Sequence, residues 1–155
     1  MSQNEFILPY GRQSIDQDDI DAVTRTLKSD FLTTGPAVQE FEASLAKVCG
    51  AKYAVSVSSG TAALHIAYAA AGLGPGDEII TSPLTFAATA NAALMLGAKV
   101  QFCDINPDTL NIDAKKVKEK INKKTKLIVP VDFAGLPALT DELATVSAEN
   151  NIAIV

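Results

Sequence analysis

The feature that most constrains the fold is a regular alternation of strand-like and helix-like segments from residue 51 onward. Short runs rich in valine, isoleucine and leucine are separated by helical stretches with short connections. Strands that are apolar throughout are typical of a parallel sheet covered by helices on both faces. We therefore predict an α/β fold with a mainly parallel sheet. The predicted strands are residues 52–57, 77–82, 99–105 and 125–131, with a last one in IAIV (152–155).

The first 50 residues have a different pattern, which predicts an irregular arm followed by two helices. Ser14 and Gln17 have the spacing of a capping box, and apolar residues recur at helical intervals over 15–28. Pro36 suits the first turn of a second helix, which Gly50 ends. The predicted division is therefore 1–50 and 51–155. The helices predicted in the second part are 61–71, 86–96, one from Asp113 to about 121, and 140–149.

The composition argues against several classes of protein. The chain has 155 residues, of which 48% are hydrophobic and 20% charged, with a net charge of −5. This balance is typical of a water-soluble globular domain and lacks the basic surplus of a nucleic-acid binder. The lysine-rich run at 115–124 is interpreted as the solvated face of a helix. Neither a signal peptide nor an apolar run of roughly 20 residues is found, so we expect a cytoplasmic protein that does not enter the membrane.

The two cysteines, Cys49 and Cys103, lie far apart and have no second thiol at metal-binding spacing. We interpret both as reduced core residues, although the sequence leaves a disulfide between them open. No metal site is expected.

Three loops carry unusual chemistry at the predicted carboxyl ends of strands. They are SSGT (58–61), PLTF (83–86) and DFAG (132–135). In an open parallel sheet, ligands bind beyond the carboxyl ends of the strands. If the strands are parallel, all three loops lie along one rim.

The SSGT loop has two interpretations. A helix N-terminus presents unpaired N–H groups and a positive dipole end to a phosphate, Gly60 allows close backbone approach, and the Ser59 and Thr61 hydroxyls can donate to oxygens. Alternatively, Ser59 or Thr61 merely caps the helix. No lysine completes a Walker-type loop, and the glycines of GLGPGD (72–77) precede a strand. Hydrolysis of nucleoside triphosphates and dinucleotide binding are therefore not expected.

Phe86 and Asp132 are the other candidates on this rim. Phe86 is either a core aromatic at the start of a helix or a ring that stacks on a flat cofactor. Asp132 is either a helix or turn cap, or an acid that faces the rim. His65, one turn into its helix, is interpreted as a packed or surface residue.

The chain resembles the DegT/DnrJ/StrS family of sugar-nucleotide aminotransferases, which are fold-type I pyridoxal-phosphate enzymes. The resemblance runs from about Leu8 to Val155 and rests on three segments: LTTGPAVQEFEASLAKVCGAKYAVSVSSGTAALHIA, GLGPGDEIITSPLTFAATANAALMLGAKVQFCDINPDTLNID and IVPVDFAG. Within the family, LPYGRQSIDQDDIDAV, SDFLTTGP and VDFAG are most similar to the branch that acts in pseudaminic acid biosynthesis. The segment SSGTAAL departs from that branch, whose version contains asparagine or alanine.

The resemblance implies a cofactor, pyridoxal 5′-phosphate, with its phosphate on the SSGT loop and its pyridine ring against a phenylalanine. The implied cofactor-binding residues are Ser59, Gly60, Thr61, Ala62 and Phe86. The implied contacts of the sugar nucleotide are Thr33, Thr34, Gly35 and Asp132. The implied reaction moves an amino group from L-glutamate, through pyridoxamine phosphate, to the 4-keto carbon of a UDP-linked 4-keto-6-deoxy-N-acetylhexosamine. A homodimer is the implied assembly.

The family also uses a Schiff-base lysine and an acid at the pyridine nitrogen, and neither has a matching position here. The eleven lysines lie at predicted helix surfaces, loops or strand edges. We therefore expect both groups, the rest of the cofactor-binding large domain and the small domain to lie beyond Val155. The fragment alone is expected to be inactive. Two alternatives are a non-catalytic sensor that binds the cofactor or a sugar nucleotide, and a phosphate-binding domain that is complete as it stands.

Overall fold

The computed structural model describes residues 11–155. The start of the segment LPYGRQSIDQDDIDAV and most of the predicted arm lie outside these residues. The chain forms two compact units, one ending at Ser56 and one spanning Val57–Val155.

The first unit contains helices α1 (Gln17–Leu27) and α2 (Pro36–Cys49). Both helices were predicted, but the capping box at Ser14 and Gln17 is wrong. Asp16 is the N-cap of α1: its Oδ1 accepts from the Asp19 N–H at 3.1 Å, and Asp19 Oδ2 accepts from the Asp16 N–H at 3.0 Å. Aspartate caps a helix as well as serine does, and its charge also suits the positive dipole end.

Helix α2 begins and ends as its sequence indicates, with Pro36 in the first turn and Gly50 in the left-handed conformation after its last residue. Gly35, its N-cap, is buried, and a Cβ there would lie 2.7 Å from the Cβ of Phe31. Only glycine fits at this close approach. The turn that precedes α2 therefore requires glycine at position 35, whether or not a ligand binds nearby.

The strand predicted at 52–57 is wrong. These residues pair with no strand in the described part of the chain. The N–H and the hydroxyl of Ser56 both donate to Glu42 Oε1, each at 2.8 Å. A β-rich sequence becomes a strand only when a neighbouring strand accepts its backbone hydrogen bonds, and here a carboxylate on α2 takes that place for Ser56.

The second unit is the predicted α/β fold. The sheet contains β1 (Glu78–Thr81), β2 (Lys99–Phe102), β3 (Thr125–Val129) and β4 (Ala153–Ile154), in the order β2-β1-β3-β4. All three strand pairs are parallel. The helices are α3 (Gly60–Ala70), α4 (Ala88–Met95), α5 (Ala114–Lys120) and α6 (Asp141–Asn150), with a 3₁₀ turn at Phe133–Gly135.

The sheet separates two apolar clusters, which confirms that helices cover both of its faces. One face packs Ile79, Leu127 and Val129 against residues of α3 and α4, and the other packs Ile80 and Ile128 against α5 and α6. Successive strand residues point to opposite faces, so a run that is apolar throughout buries both. Fully burying one such side chain contributes roughly 1.5–3 kcal/mol.

The two cysteines have different surroundings. Cys103 is buried in the cluster beneath α5 and α6, where burial raises the pKa of its thiol to about 11. Cys49, at the end of α2, is exposed, so its interpretation as a core residue is wrong. Neither forms a disulfide. Between residues 11 and 155, no helix is long and apolar enough to cross a bilayer.

Candidate functional site

Two of the three predicted rim loops border one cavity of about 580 Å³ in the second unit. Gly60 and Thr61, at the start of α3, form one wall, and Phe86, from the loop after β1, forms another. The remaining lining residues are Ala63, Leu64, Ala67, Ala88 and Thr89. The cavity therefore has a helix N-terminus at one side and an aromatic ring at the other.

The helix N-terminus is capped by Ser59 and is compatible with both interpretations of the SSGT loop. Ser59 is the N-cap: its Oγ accepts from the Ala62 N–H at 3.1 Å, and its carbonyl accepts from the Ala63 N–H at 3.0 Å. Among residues 11–155, the N–H groups of Gly60 and Thr61 have no acceptor. The capping serine thus uses the amide of Ala62 and leaves two N–H groups for an anion.

The surroundings of Gly60 leave room for that anion. A Cβ at Gly60 would meet no atom of another described residue within 4 Å, so contacts within residues 11–155 do not require glycine there. Open space next to two unpaired N–H groups and a positive dipole end is a suitable place for a phosphate.

Phe86 is not a core residue, because its side chain is 80% exposed. Its backbone is held in place: the Phe86 carbonyl accepts from the Thr89 N–H at 3.1 Å. The hydroxyls of Thr85 and Thr89 are 2.8 Å apart and share a hydrogen bond across the same turn. An exposed ring on a fixed turn can stack on a flat ligand.

Asp132 lies in a different environment from the cavity residues. It is exposed, it begins the 3₁₀ turn after β3, and its Oδ1 accepts from the Ala138 N–H at 2.8 Å. Among residues 11–155, the Asp132 side chain makes no capping hydrogen bond to this turn, and its contact is to Ala138 beyond the turn. Since β3 is the neighbour of β1 and parallel to it, Asp132 follows the same edge of the sheet as the Phe86 loop but does not line the cavity.

The remaining predicted residues are not among those that line this cavity. Thr33, Thr34 and Gly35 belong to the first unit, where the Thr34 hydroxyl donates to the Thr33 carbonyl at 2.7 Å and Thr34 has a left-handed backbone with φ of 52°. His65 is half-buried and does not line the cavity, as expected for a packing residue.

Sequence reasoning missed three residues that hold the rim together. Tyr68 is fully buried, and its hydroxyl donates to the Thr89 carbonyl at 3.2 Å. Asn111 is buried, and its Nδ2 donates to the carbonyls of Leu136 and Pro137 at 3.0 and 3.2 Å. The third is Thr89, which supplies the carbonyl that Tyr68 bonds. The sequence signals for these residues were weak: Tyr68 is one tyrosine in a helix of small residues, Thr89 follows PLTF, and Asn111 lies between two apolar residues.

Among residues 11–155, no lysine, arginine or carboxylate lines the cavity. Over the part of the chain that the structure describes, no group of three histidine, cysteine, aspartate or glutamate side chains could hold a metal ion. The positive dipole end of α3 is therefore the feature of the cavity wall that would attract an anion.

Comparisons with known proteins identify relatives along nearly the whole chain. UDP-4-amino-4,6-dideoxy-N-acetyl-beta-L-altrosamine transaminase of Campylobacter jejuni (serotype O:2) is 47% identical over 153 residues, covering 96% of this chain and 40% of the relative. Spore coat polysaccharide biosynthesis protein SpsC of Bacillus subtilis is 45% identical over 153 residues, covering 99% of this chain and 39% of the relative. The chain thus spans about 40% of the length of the curated relatives it matches.

Solved structures agree with this similarity. The PLP form of Spr1654 from Streptococcus pneumoniae superposes with a TM-score of 0.87 and 32% sequence identity, covering 94% of this chain and 38% of that chain. The same protein has also been solved in its PMP form. The model of the DegT/DnrJ/EryC1/StrS aminotransferase family matches residues 13–155. The chain belongs to this aminotransferase family.

Proposed function

We propose that this chain supplies the phosphate-binding and ring-binding part of a pyridoxal-phosphate-dependent aminotransferase that acts on a nucleotide sugar. One observation carries the proposal. The unpaired N–H groups of Gly60 and Thr61 border the same cavity as the exposed ring of Phe86. An anion site and an aromatic face are what a phosphorylated flat ring requires.

The chain's own residues would bind and orient the cofactor. The Gly60 and Thr61 N–H groups and the Thr61 hydroxyl would donate to phosphate oxygens, and Ser59 could add its hydroxyl proton. Phe86 would cover one face of the pyridine ring and keep water from it. Ala62 would act through its place in the first turn, since its N–H is already donated to Ser59 Oγ. When bound, pyridoxal phosphate supplies the electron sink that amino transfer needs.

The proposed substrates of the complete enzyme are L-glutamate as amino donor and a UDP-linked 4-keto-6-deoxy amino sugar as acceptor. The Campylobacter relative, a UDP-4-amino-4,6-dideoxy-N-acetyl-beta-L-altrosamine transaminase, supports the choice of a UDP-linked amino sugar. Thr33, Thr34, Gly35 and Asp132 remain the proposed contacts of the sugar nucleotide. The proposal includes a homodimer in the cytoplasm, pseudaminic acid biosynthesis as the pathway, and residues 51–155 as part of a larger cofactor-binding domain.

Binding of pyridoxamine 5′-phosphate to the purified chain tests the proposed site. This form has no aldehyde, so it cannot condense with the eleven lysines. We expect it to bind more tightly than pyridoxamine, which lacks the phosphate, and than inorganic phosphate, which lacks the ring. Phe86→Ala should remove the additional affinity that the pyridine ring gives pyridoxamine 5′-phosphate over inorganic phosphate. Phe102→Ala, which truncates an exposed phenylalanine outside this cavity, is the matched control.

Equal affinity for all three ligands, or an equal effect of both phenylalanine variants, would contradict the proposed site. The acceptor is tested on the complete enzyme with UDP- and dTDP-linked 4-keto sugars and glutamate. Exclusive use of a dTDP sugar would move the enzyme to another branch of the family.

A further inference from the structure

Thr89 occupies the junction between the two walls of the cavity. It is only 6% exposed, and it lines the cavity between α3 and the Phe86 turn. Its N–H donates to the Phe86 carbonyl, and its hydroxyl shares a hydrogen bond with Thr85. Thr85 and Thr89 thus close a turn that contains Phe86.

The backbone of Thr89 also connects this turn to the helix that carries the anion site. The Thr89 carbonyl accepts a hydrogen bond from the hydroxyl of Tyr68 on α3. Tyr68 is fully buried, and burial raises its pKa to about 12, so it stays protonated and remains a donor. Thr89 is therefore bonded through its carbonyl to α3 and through its N–H and hydroxyl to the residues beside the ring.

The ring itself has little else to fix it. Phe86 is 80% exposed, so packing against its neighbours restricts its side chain weakly. The position of such a ring, and the staggered rotamers open to it, depend on the backbone that carries it. That backbone is set by the turn that Thr89 closes.

We propose that Thr89 is a positioning residue that fixes the Phe86 turn relative to the N-terminus of α3. This inference rests on the proposed function for its ligand, but the geometry concerns the chain alone. Thr89 sets the spacing between the ring-binding wall and the two N–H groups that would hold the phosphate. A ligand with a ring and a phosphate at a fixed separation needs this spacing to contact both walls at once.

Two substitutions separate the hydroxyl from the shape of the side chain. Thr89→Val replaces the hydroxyl with a methyl group and leaves the half-buried Thr85 hydroxyl without this partner. Thr89→Ser keeps the hydroxyl and loses only a methyl group. Thr145→Val is the control, because it removes a threonine hydroxyl that donates to the Asp141 carbonyl on the exposed face of α6.

The experiment uses the whole chain with 4-fluorophenylalanine in place of Phe86 and has two readouts. The first is the ¹⁹F spectrum without ligand, and the second is the dissociation constant of pyridoxamine 5′-phosphate. We expect Thr89→Val to broaden or split the ¹⁹F resonance and to weaken binding about fivefold to tenfold, as the loss of one hydrogen bond implies. Thr89→Ser should give the ¹⁹F spectrum and the dissociation constant of the unsubstituted chain. Thr145→Val should change neither of them.

The outcomes distinguish the positioning role from the proposed function. If Thr89→Val matches Thr145→Val in both readouts, Thr89 has no positioning role. If the ¹⁹F spectrum changes as expected but the unsubstituted chain binds no pyridoxamine phosphate, Thr89 positions the ring and the proposed function is wrong. If Thr89→Val fails to fold, Thr85→Val removes the other partner of the same hydrogen bond, and an unchanged spectrum would then overturn the inference.

Discussion

At the scale of single residues, Ser59 has a structural role as the cap of α3 and a proposed role in binding. Its oxygen accepts from the Ala62 N–H, and its proton is left to donate to a ligand. Ser59→Asp separates the two roles, because aspartate is an equally good N-cap but places a negative charge where the phosphate would lie. We expect unchanged thermal stability together with at least tenfold weaker binding of pyridoxamine phosphate, measured by fluorescence titration, equivalent to about 1.4 kcal/mol or more.

Thr140→Asp is the control for this substitution. Thr140 caps α6 in the same way, with its hydroxyl oxygen accepting from the Leu143 N–H at 3.2 Å, and it does not line the cavity. If both aspartate variants weaken binding equally, the charge acts through the net charge of the chain and the α3 anion site is wrong.

Glu42 gives a second test at this scale. The Ser56 N–H and hydroxyl both donate to its carboxylate, which lowers the pKa of Glu42 below the usual 4.5. Because the folded pKa is the lower one, the contact contributes stability above pH 4.5 that is lost as the pH falls through the folded pKa. We expect the NMR shift of the Ser56 amide proton to titrate with a midpoint below pH 4.5.

Glu42→Gln should abolish that titration of the Ser56 amide. Glu40→Gln, a change at an exposed glutamate on the same helix, should leave it intact. A midpoint above 4.5, or no difference between the two variants, would show that Ser56 does not donate to Glu42 in solution.

At the scale of structural elements, the loop after β3 depends on a residue from the loop after β2. Besides donating to the Leu136 and Pro137 carbonyls, Asn111 accepts from the Phe133 N–H at 3.1 Å. The loop contains Ala134 in a left-handed conformation with φ of 53°, which costs a non-glycine residue roughly 1–2 kcal/mol. Such a conformation persists only where surrounding contacts fix it.

We expect Asn111→Ala to destabilise the chain by about 2 kcal/mol, because two carbonyls lose a buried donor. Urea unfolding followed by circular dichroism measures the change. Asn150→Ala, which removes one hydrogen bond to the Val146 carbonyl on α6, is the control and should cost clearly less. Equal costs would mean that Asn111 does not fix the loop.

Helices and strands differ in how well the sequence predicts them. Helix ends were found from local signals, such as Pro36 and Gly50 around α2, Asp113 before α5, and Gly97 after α4. Strands β1 to β4 lie within their predicted runs, because burial on both faces leaves an apolar pattern. The run at 52–57 has the same pattern but no partner strand among residues 11–155. A local sequence pattern does not indicate whether a distant segment will pair with it.

The candidate site also has parts that the sequence could predict and parts that it could not. The loops after β1 and β3 could be placed at one edge of the sheet, because residues that follow parallel strands share that edge. The SSGT loop borders the cavity with Phe86 although the strand predicted before it is wrong. The contacts that hold these loops could not, since the Tyr68–Thr89 bond and the bonds of Asn111 to Leu136 and Pro137 join residues 21, 25 and 26 positions apart. No regular sequence spacing marks such pairs, because only the tertiary fold brings the two residues together.

At the scale of the whole chain, binding and catalysis make different demands on this cavity. The proposed binding of an anion and an aromatic ring needs the α3 N–H groups and Phe86, which border the cavity. Amino transfer also needs an amine nucleophile and an acid at the ring nitrogen. The eight residues that line the cavity include no lysine and no carboxylate.

The chain of 155 residues should therefore bind pyridoxamine phosphate and have no transaminase activity by itself. The measurement incubates the purified chain with pyridoxal phosphate and glutamate, follows release of 2-oxoglutarate, and treats a parallel sample with borohydride before peptide mapping. We expect no turnover and substoichiometric label scattered over exposed lysines, because none of the eleven lysines lines the cavity. Stoichiometric labelling of one lysine together with turnover would mean that a lysine from elsewhere in the chain reaches the cavity, and the separation of binding from catalysis would then be wrong.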